Sequence, residues 1–215
     1  GVVIDGGNFD WLKSGRFPTL TQPYEPFHGM NFWEEFGPAA LAMRIRCESM
    51  RDIGAAMTPH NAFLLLQGLE TLNLRMQQHV SNAQAMVTWL QTQDAVAWVN
   101  HPDINAEAHT KALFPKGAGS MLTFGVKGGR DAGAAFINAL QLSSNLANVG
   151  DSRTLVLHPG STTHSRLSEN DLIAAGIGAD LIRVSVGIET LKDIQADFSL
   201  GLRAAAKILA QQAEA

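Results

Sequence analysis

In this 215-residue chain, Arg183 is the residue whose type and setting most clearly ask for a chemical partner. It lies within Leu181-Ile182-Arg183-Val184-Ser185-Val186-Gly187-Ile188-Glu189, an apolar, β-branched run that reads as a strand. A guanidinium in such a run needs an anion to be tolerated. Alternation puts Ile182, Val184 and Val186 on one face and Arg183 with Ser185 on the other. Arginine presents a rigid fork of N–H donors that matches a carboxylate in two parallel bonds. One reading is therefore a small carboxylate ligand. The other is an internal ion pair, for instance with Glu189 or Asp151.

Other constellations carry less. His158 and His164 flank a glycine- and threonine-rich turn and suggest a metal pair, but no third ligand follows at a usable spacing, so no metal is expected. Ser161, Ser165 and His164 lack the strand–turn–helix elbow of a hydrolase nucleophile. Gly176-Ile177-Gly178 lacks the third glycine of a dinucleotide fingerprint and precedes a strand, the wrong order for a phosphate cradle. Arg75 and His79, one helical turn apart, read as a solvated or interface face. The lone Cys47 cannot form an internal disulfide, reads as structural, and is compatible with a reducing cytosol.

The elements that must position Arg183 follow from periodicity and caps. Residues 2–4 read as a strand closed by Asp5-Gly6-Gly7. Residues 9–36 hold more than half of the chain's aromatics, interleaved with proline and glycine that rule out a long regular element. Such a loop must be packed, against the core or a neighbouring subunit, or else wall a substrate entrance. Residues 39–56 read as a helix, and Thr58-Pro59 caps the next. From Phe63, apolar residues at 66, 69, 72, 76, 80, 83, 87 and 90 form one stripe along a long helix, which is expected to join two bodies. Beyond it, residues 95–99, 121–126 and 154–157 read as strands. Asp131 is expected to cap a helix reaching about Leu146, Ser168 one that stops at Gly176, and Thr190 the last helix. This order implies a small α/β domain with helices covering a sheet.

The net charge of −4 and scattered lysines and arginines give no basic stripe, which argues against nucleic acid as a partner. No apolar run reaches the length of a membrane span, and no charged-then-apolar leader is visible.

Three segments, Asn148-Val149-Gly150-Asp151, His158-Pro159-Gly160-Ser161-Thr162-Thr163-His164-Ser165 and the Arg183 run, together resemble the C-terminal part of the Cys/Met-metabolism enzymes that use pyridoxal phosphate. The wording NVGDSRTLVLHPGSTTHSRLS is most similar to the O-acetylhomoserine sulfhydrylase branch. Residues 62–76 resemble the family's interdomain helix, residues 117–124 the glycine-led strand that opens its small domain, and residues 1–7 the strand after its cofactor lysine.

The resemblance implies an α/β protein comprising three parts. These are the end of the large domain of a pyridoxal-phosphate transferase (aspartate aminotransferase-like, fold type I), a long interdomain helix and a C-terminal small α/β domain. Residues 1–75 would belong to the first body and 76–215 to the second. Arg183 would hold the substrate α-carboxylate. Asn148 stands where many relatives have a carboxylate-binding serine, a departure that suits the sulfhydrylase branch, and Thr163 would orient Arg183 through hydrogen bonds. For Asn148 and Thr163 the plain alternative is that both satisfy turn backbone. The cofactor lysine is expected upstream of Gly1, because none of Lys13, Lys111, Lys116, Lys127, Lys192 and Lys207 has the family's lead-in and follow-on, so the chain is expected to be a C-terminal part that is inactive alone.

The implied reaction is γ-replacement of acetate in O-acetylhomoserine by sulfide, giving homocysteine, in a cytoplasmic homotetramer with active sites at a dimer interface. Methionine γ-lyase, cystathionine γ-synthase or lyase, and a non-catalytic interaction domain are the alternatives.

Overall fold

The computed structural model describes residues 2–104 and 106–214, with the backbone alone for Glu169. The chain divides into two compact units that meet at Gln67/Gly68. The 75/76 boundary expected from sequence lies further along the same helical run.

The first unit is built of short helical pieces: α1 (Trp11–Ser14), α2 (Pro18–Thr21), α3 (Phe32–Phe36), α4 (Ala40–Arg44), a π-helical turn Ile45–Met50, and α5 (Arg51–Ile53), which stops at Gly54 with φ 72°. Residues 2–4 are not a strand. Their side chains are 65–89% exposed, and among the described residues no strand pairs with them. The aromatic segment packs largely on itself. Phe9, Trp11 and Phe17 meet at centroid distances of 4.6–5.9 Å. Tyr24, Phe27 and Phe32 form a second cluster, in which Phe32 is fully buried. The Arg44 guanidinium lies 4.1 Å from the Tyr24 ring centroid, while Glu48 receives Arg44 Nε at 2.8 Å and the Tyr24 hydroxyl at 2.6 Å. Cation–π attraction and two charge-assisted bonds thus brace the cluster.

Helix α6 (Pro59–Glu70) starts as its sequence requires, with Asn61 N–H donating to the Thr58 hydroxyl at 3.2 Å. A turn at Thr71 separates it from α7 (Leu72–Leu90). The apolar stripe is therefore not one buried seam. Met86, Val87 and Leu90 are in the core, whereas Leu66, Leu69, Leu72 and Met76 are 36–61% exposed.

The second unit is a sheet covered on one face. Its strands are β1 (Val96–Asn100), β2 (Met121–Val126), β3 (Ser144–Asn145), β4 (Leu155–Leu157) and β5 (Leu181–Ser185), in the order β1-β2-β5-β4-β3. Every pairing is antiparallel except β3 with β4. Helices α8 (Ala108–Leu113), α9 (Gly129–Asn138), α10 (Glu169–Ala174) and α11 (Leu191–Glu214) complete it.

The period-2 pattern of β2 and β5 turns Leu122, Phe124, Val126, Ile182 and Val184 towards α7, α9 and α11. Phe124, Phe136 and Phe198 close the centre as a triangle of rings 5.4–6.2 Å apart. Burying side chains of this size stabilises by about 1.5–3 kcal/mol each. Arg183 is left on the opposite face.

Two expectations about α9 need correction. Asp131 is not its cap: Gly128, at φ 101°, holds that position. Nor does the helix reach Leu146. The N–H groups of Gln141, Leu142 and Ser143 are taken by the Asp197 carboxylate (2.6, 2.9 and 2.9 Å), which draws the chain off the helical path. At α10, by contrast, the Ser168 hydroxyl accepts from Asp171 N–H at 3.2 Å, and Gly176 ends the element at φ 72°.

Candidate carboxylate site

Strand β5 occupies the middle of the sheet because its β-branched residues can be buried on one side while its backbone is paired on both. Arg183 stands opposite Thr123 of β2 and Leu157 of β4. It is half-buried on the face away from the core and borders a depression of about 210 Å³, whose other walls are Asn100, His101 and Pro102 at the end of β1 and Met121 to Thr123 of β2.

The acids that would neutralise Arg183 internally are committed elsewhere. Asp151 pairs with Arg153 at 3.4 Å, and hydrogen bonds from the Arg153 backbone and side chain hold its carboxyl below the usual range. Glu189 receives the Thr154 N–H at 2.6 Å and the Thr154 hydroxyl at 2.8 Å. Among the described residues the Arg183 guanidinium makes no ion pair or hydrogen bond. A half-buried, permanently charged fork without an internal anion is a ready carboxylate receptor.

Asn148 lies in the loop between β3 and β4, exposed, with its Oδ1 accepting from Val149 N–H at 2.9 Å. The loop is fastened to the Arg183 strand, since Gly150 N–H donates to Ser185 Oγ at 3.3 Å and Ser185 is buried on the Arg183 face. Thr163 follows β4 and is exposed. Its hydroxyl is 2.8 Å from His164 Nδ1, and no hydrogen bond joins it to Arg183 among the described residues. The hydrogen bond to Arg183 expected of Thr163 is thus not present among the described residues, where the hydroxyl is paired with the neighbouring His164 ring.

His158 has no free ring nitrogen for a metal. Nε2 donates to the Ala179 carbonyl at 2.8 Å, which leaves Nδ1 to accept from the Ser161 hydroxyl at 2.8 Å. Burial pushes its pKa down, helped by the Arg130 charge, so the ring is neutral near pH 7.

Two sets of residues escaped the sequence. Asn100, His101 and Thr123 share the Arg183 depression without any periodic signal of their own. His101 Nδ1 accepts from Asp103 N–H at 3.2 Å, so the ring proton belongs on Nε2, which is buried and unpartnered among the described residues. The second set begins with His79, expected on a solvated or interface face. It is 1% exposed and lies 2.7 Å from the Val186 carbonyl oxygen.

The fold and site together define an α/β domain that offers one arginine from mid-sheet to an anion. The model of the family described as Cys/Met metabolism PLP-dependent enzyme matches residues 1–203, and the chain belongs to that family. It is 47% identical over 209 residues to a homocysteine synthase of Schizosaccharomyces pombe, covering 95% of this chain and 49% of that protein. It is 43% identical over 205 residues to O-acetyl-L-homoserine sulfhydrylase 1 of Thermus thermophilus, covering 94% and 48%.

Among solved structures, it superposes on an O-acetylhomoserine (thiol)-lyase from Campylobacter jejuni with a TM-score of 0.76 at 36% identity, covering 88% of this chain and 45% of that one; that structure carries a pyridoxyl-lysine monophosphate. It also matches an O-acetylhomoserine sulfhydrylase from Wolinella succinogenes with a TM-score of 0.65 at 31% identity, covering 91% and 50%. The chain spans about half the length of the curated relatives it matches.

The family's cofactor is pyridoxal phosphate. The residues present do not furnish its covalent seat. Lys13, Lys111, Lys116, Lys127, Lys192 and Lys207 are all exposed, and none lines the Arg183 depression.

Proposed function

We propose that this chain is the C-terminal part of a pyridoxal-phosphate enzyme that exchanges the acetate of O-acetylhomoserine for sulfide, releasing homocysteine. Residues 1–75 would end its large cofactor-binding domain and 76–215 form its small domain. The observation that carries the reading is Arg183, presented from mid-sheet with no internal anion among the described residues. The names of the relatives give the substrate class.

When bound, the cofactor supplies an electron sink for charge developed at the substrate α-carbon. The task left to this chain is to hold the carboxylate still while the reacting bonds align. Arg183 does so through two parallel N–H bonds, and such fixing of orientation contributes several kcal/mol to lowering a barrier. Asn148, on the loop fastened through Gly150 to Ser185, is the second contact to the carboxylate. Thr163 is the third, at the opposite end of β4.

The protein would act as a cytoplasmic homotetramer with active sites at a dimer interface. Among the described residues no helix is long and apolar enough to cross a membrane. The run Phe63, Leu64, Leu65 and Leu66 on α6, 54–61% exposed here, is surface such an assembly could cover. Incubating the intact protein with O-acetylhomoserine and sulfide tests the proposal: homocysteine should accumulate. Its absence, with 2-ketobutyrate formed from methionine instead, would assign a γ-lyase.

A further inference from the structure

We infer that His79 and Asn82 of α7 are positioning residues for the carboxylate grip, holding the backbone that leaves the Arg183 strand and through it both Arg183 and the Asn148 loop. The inference rests on Arg183 binding the substrate carboxylate.

His79 and Asn82 are 1% and 2% exposed. Polar side chains are buried at a cost unless they are bonded, so their partners indicate what they do. They sit three residues apart on one helix face, and both reach the segment just after β5. His79 Nδ1 is 2.7 Å from the Val186 carbonyl oxygen, which can only accept, so the ring proton is on Nδ1. Asn82 uses both amide hydrogens, to the carbonyls of Gly187 (3.0 Å) and Glu189 (2.9 Å). Its Oδ1 accepts from Gln78 Nε2 at 2.8 Å, which fixes the orientation of the amide.

The same segment is gripped from the β4 side. Gly187 N–H donates to Thr154 Oγ1 at 2.9 Å, Ile188 N–H to the Ser152 carbonyl at 2.9 Å, and the Glu189 carboxylate takes both donors of Thr154. A Cβ at position 187 would stand 2.5 Å from Thr154 N and 2.2 Å from Glu189 Oε2, so only glycine lets the chain pass between these partners.

Residues 186–189 are thus held by α7 on one side and by the approach to β4 on the other. The consequence for the site is geometric. Ser185, next in the chain, accepts the Gly150 N–H that anchors the Asn148 loop, and Arg183 stands two residues earlier on the same face. A strand fixed at its end can neither slide nor roll about its axis, so the two contacts keep their spacing. A paired guanidinium–carboxylate bond needs that constancy, since a misplacement of about 1 Å can cost about 100-fold in rate.

The test uses the intact holoenzyme and compares His79→Leu, which keeps bulk but loses the donor, with His79→Asn, which restores an N–H near the Nδ1 position. His79→Leu should raise KM for the amino-acid substrate about tenfold, a fraction of the cost of a 1 Å misplacement. KM for sulfide should stay within about twofold, because sulfide binding does not use the carboxylate grip. His79→Asn should recover most of the loss.

Gln78→Ala, at an exposed residue, removes only the bond that orients Asn82 and should raise the same KM about two- to fivefold; it decides the matter if His79→Leu does not fold. Unchanged amino-acid KM in the folded variants, alongside a raised KM in Arg183→Lys, would reduce the clamp to a purely structural role. An unchanged KM in Arg183→Lys would overturn the carboxylate reading itself, and this inference with it.

Discussion

Replacing Asp197 by asparagine removes the charge that organises the turn after α9. Asp197 is 4% exposed, and its oxygens accept the N–H groups of Gln141 and Leu142 at 2.6 and 2.9 Å and of Ser143 at 2.9 Å. Burial alone would raise its pKa, but these bonds outweigh it and hold the carboxyl below its usual range. Asparagine keeps one acceptor oxygen and turns an NH₂ group towards one of the donors. One buried N–H then goes unsatisfied, at about 1–3 kcal/mol, and two charge-assisted bonds become ordinary ones, at about 1 kcal/mol each. A total loss of about 3–5 kcal/mol follows, which should lower the midpoint of urea unfolding by about 1–2 M or more.

The pH dependence gives a second check. A carboxyl with a depressed folded pKa contributes stability that is complete above its unfolded pKa of about 3.9 and is lost as pH falls through the folded value. The stability gap between native and variant protein should therefore be constant near neutrality and narrow below about pH 4. A midpoint shift under about 0.3 M, or a gap that does not narrow in acid, would refute this account of the turn.

Gly201→Ala should lower stability by about 1–2 kcal/mol. The new Cβ would lie 2.6–2.7 Å from the Phe136 ring, which its two aromatic neighbours hold in place, and this overpacking exceeds the gain in helix propensity. A melting temperature at or above that of the native protein would contradict it. His158, buried with a lowered pKa, contributes stability that is complete above its unfolded pKa of about 6.5 and fades as pH falls through the lower folded value. Unfolding curves should thus show stability declining as pH falls below about 6.5, with a shallower decline in His158→Gln; equal slopes would show that His158 does not titrate in this way. Ser168→Ala should cost about 1 kcal/mol through loss of the α10 cap, measured by chemical unfolding, and no change would mean that the cap bond seen at 3.2 Å is without weight in solution.

The sequence made the second unit legible where its signals were local. Alternation in β2 and β5, the Ser168 and Thr58 caps and the arginine set among β-branched residues each follow from neighbours a few positions away. Residues 9–36 concealed short helices because proline begins one of them and glycine or a single polar residue ends each within a turn or so. The two-residue β3 has too few positions to show a period. The end of α9 was hidden because Asp197, which interrupts it, lies more than 50 residues away in sequence. His79 shows the same difficulty at the site. A histidine between glutamine and valine on a helix looks solvated until the strand end it holds, 107 residues later, is placed beside it. Thr163 differs again, since its motif was readable but the pairing of its hydroxyl with the neighbouring His164 ring was not.

The central claim is that Arg183 binds the substrate carboxylate, and steady-state kinetics of Arg183→Lys in the intact enzyme test it most directly. Lysine keeps the charge but loses the paired planar donors, a loss of about 1.5–3 kcal/mol. KM for the amino-acid substrate should rise about 10- to 150-fold, with KM for sulfide unchanged and cofactor binding retained. An unchanged kcat/KM accompanied by a lower melting temperature would contradict the account and make Arg183 a residue of the fold alone.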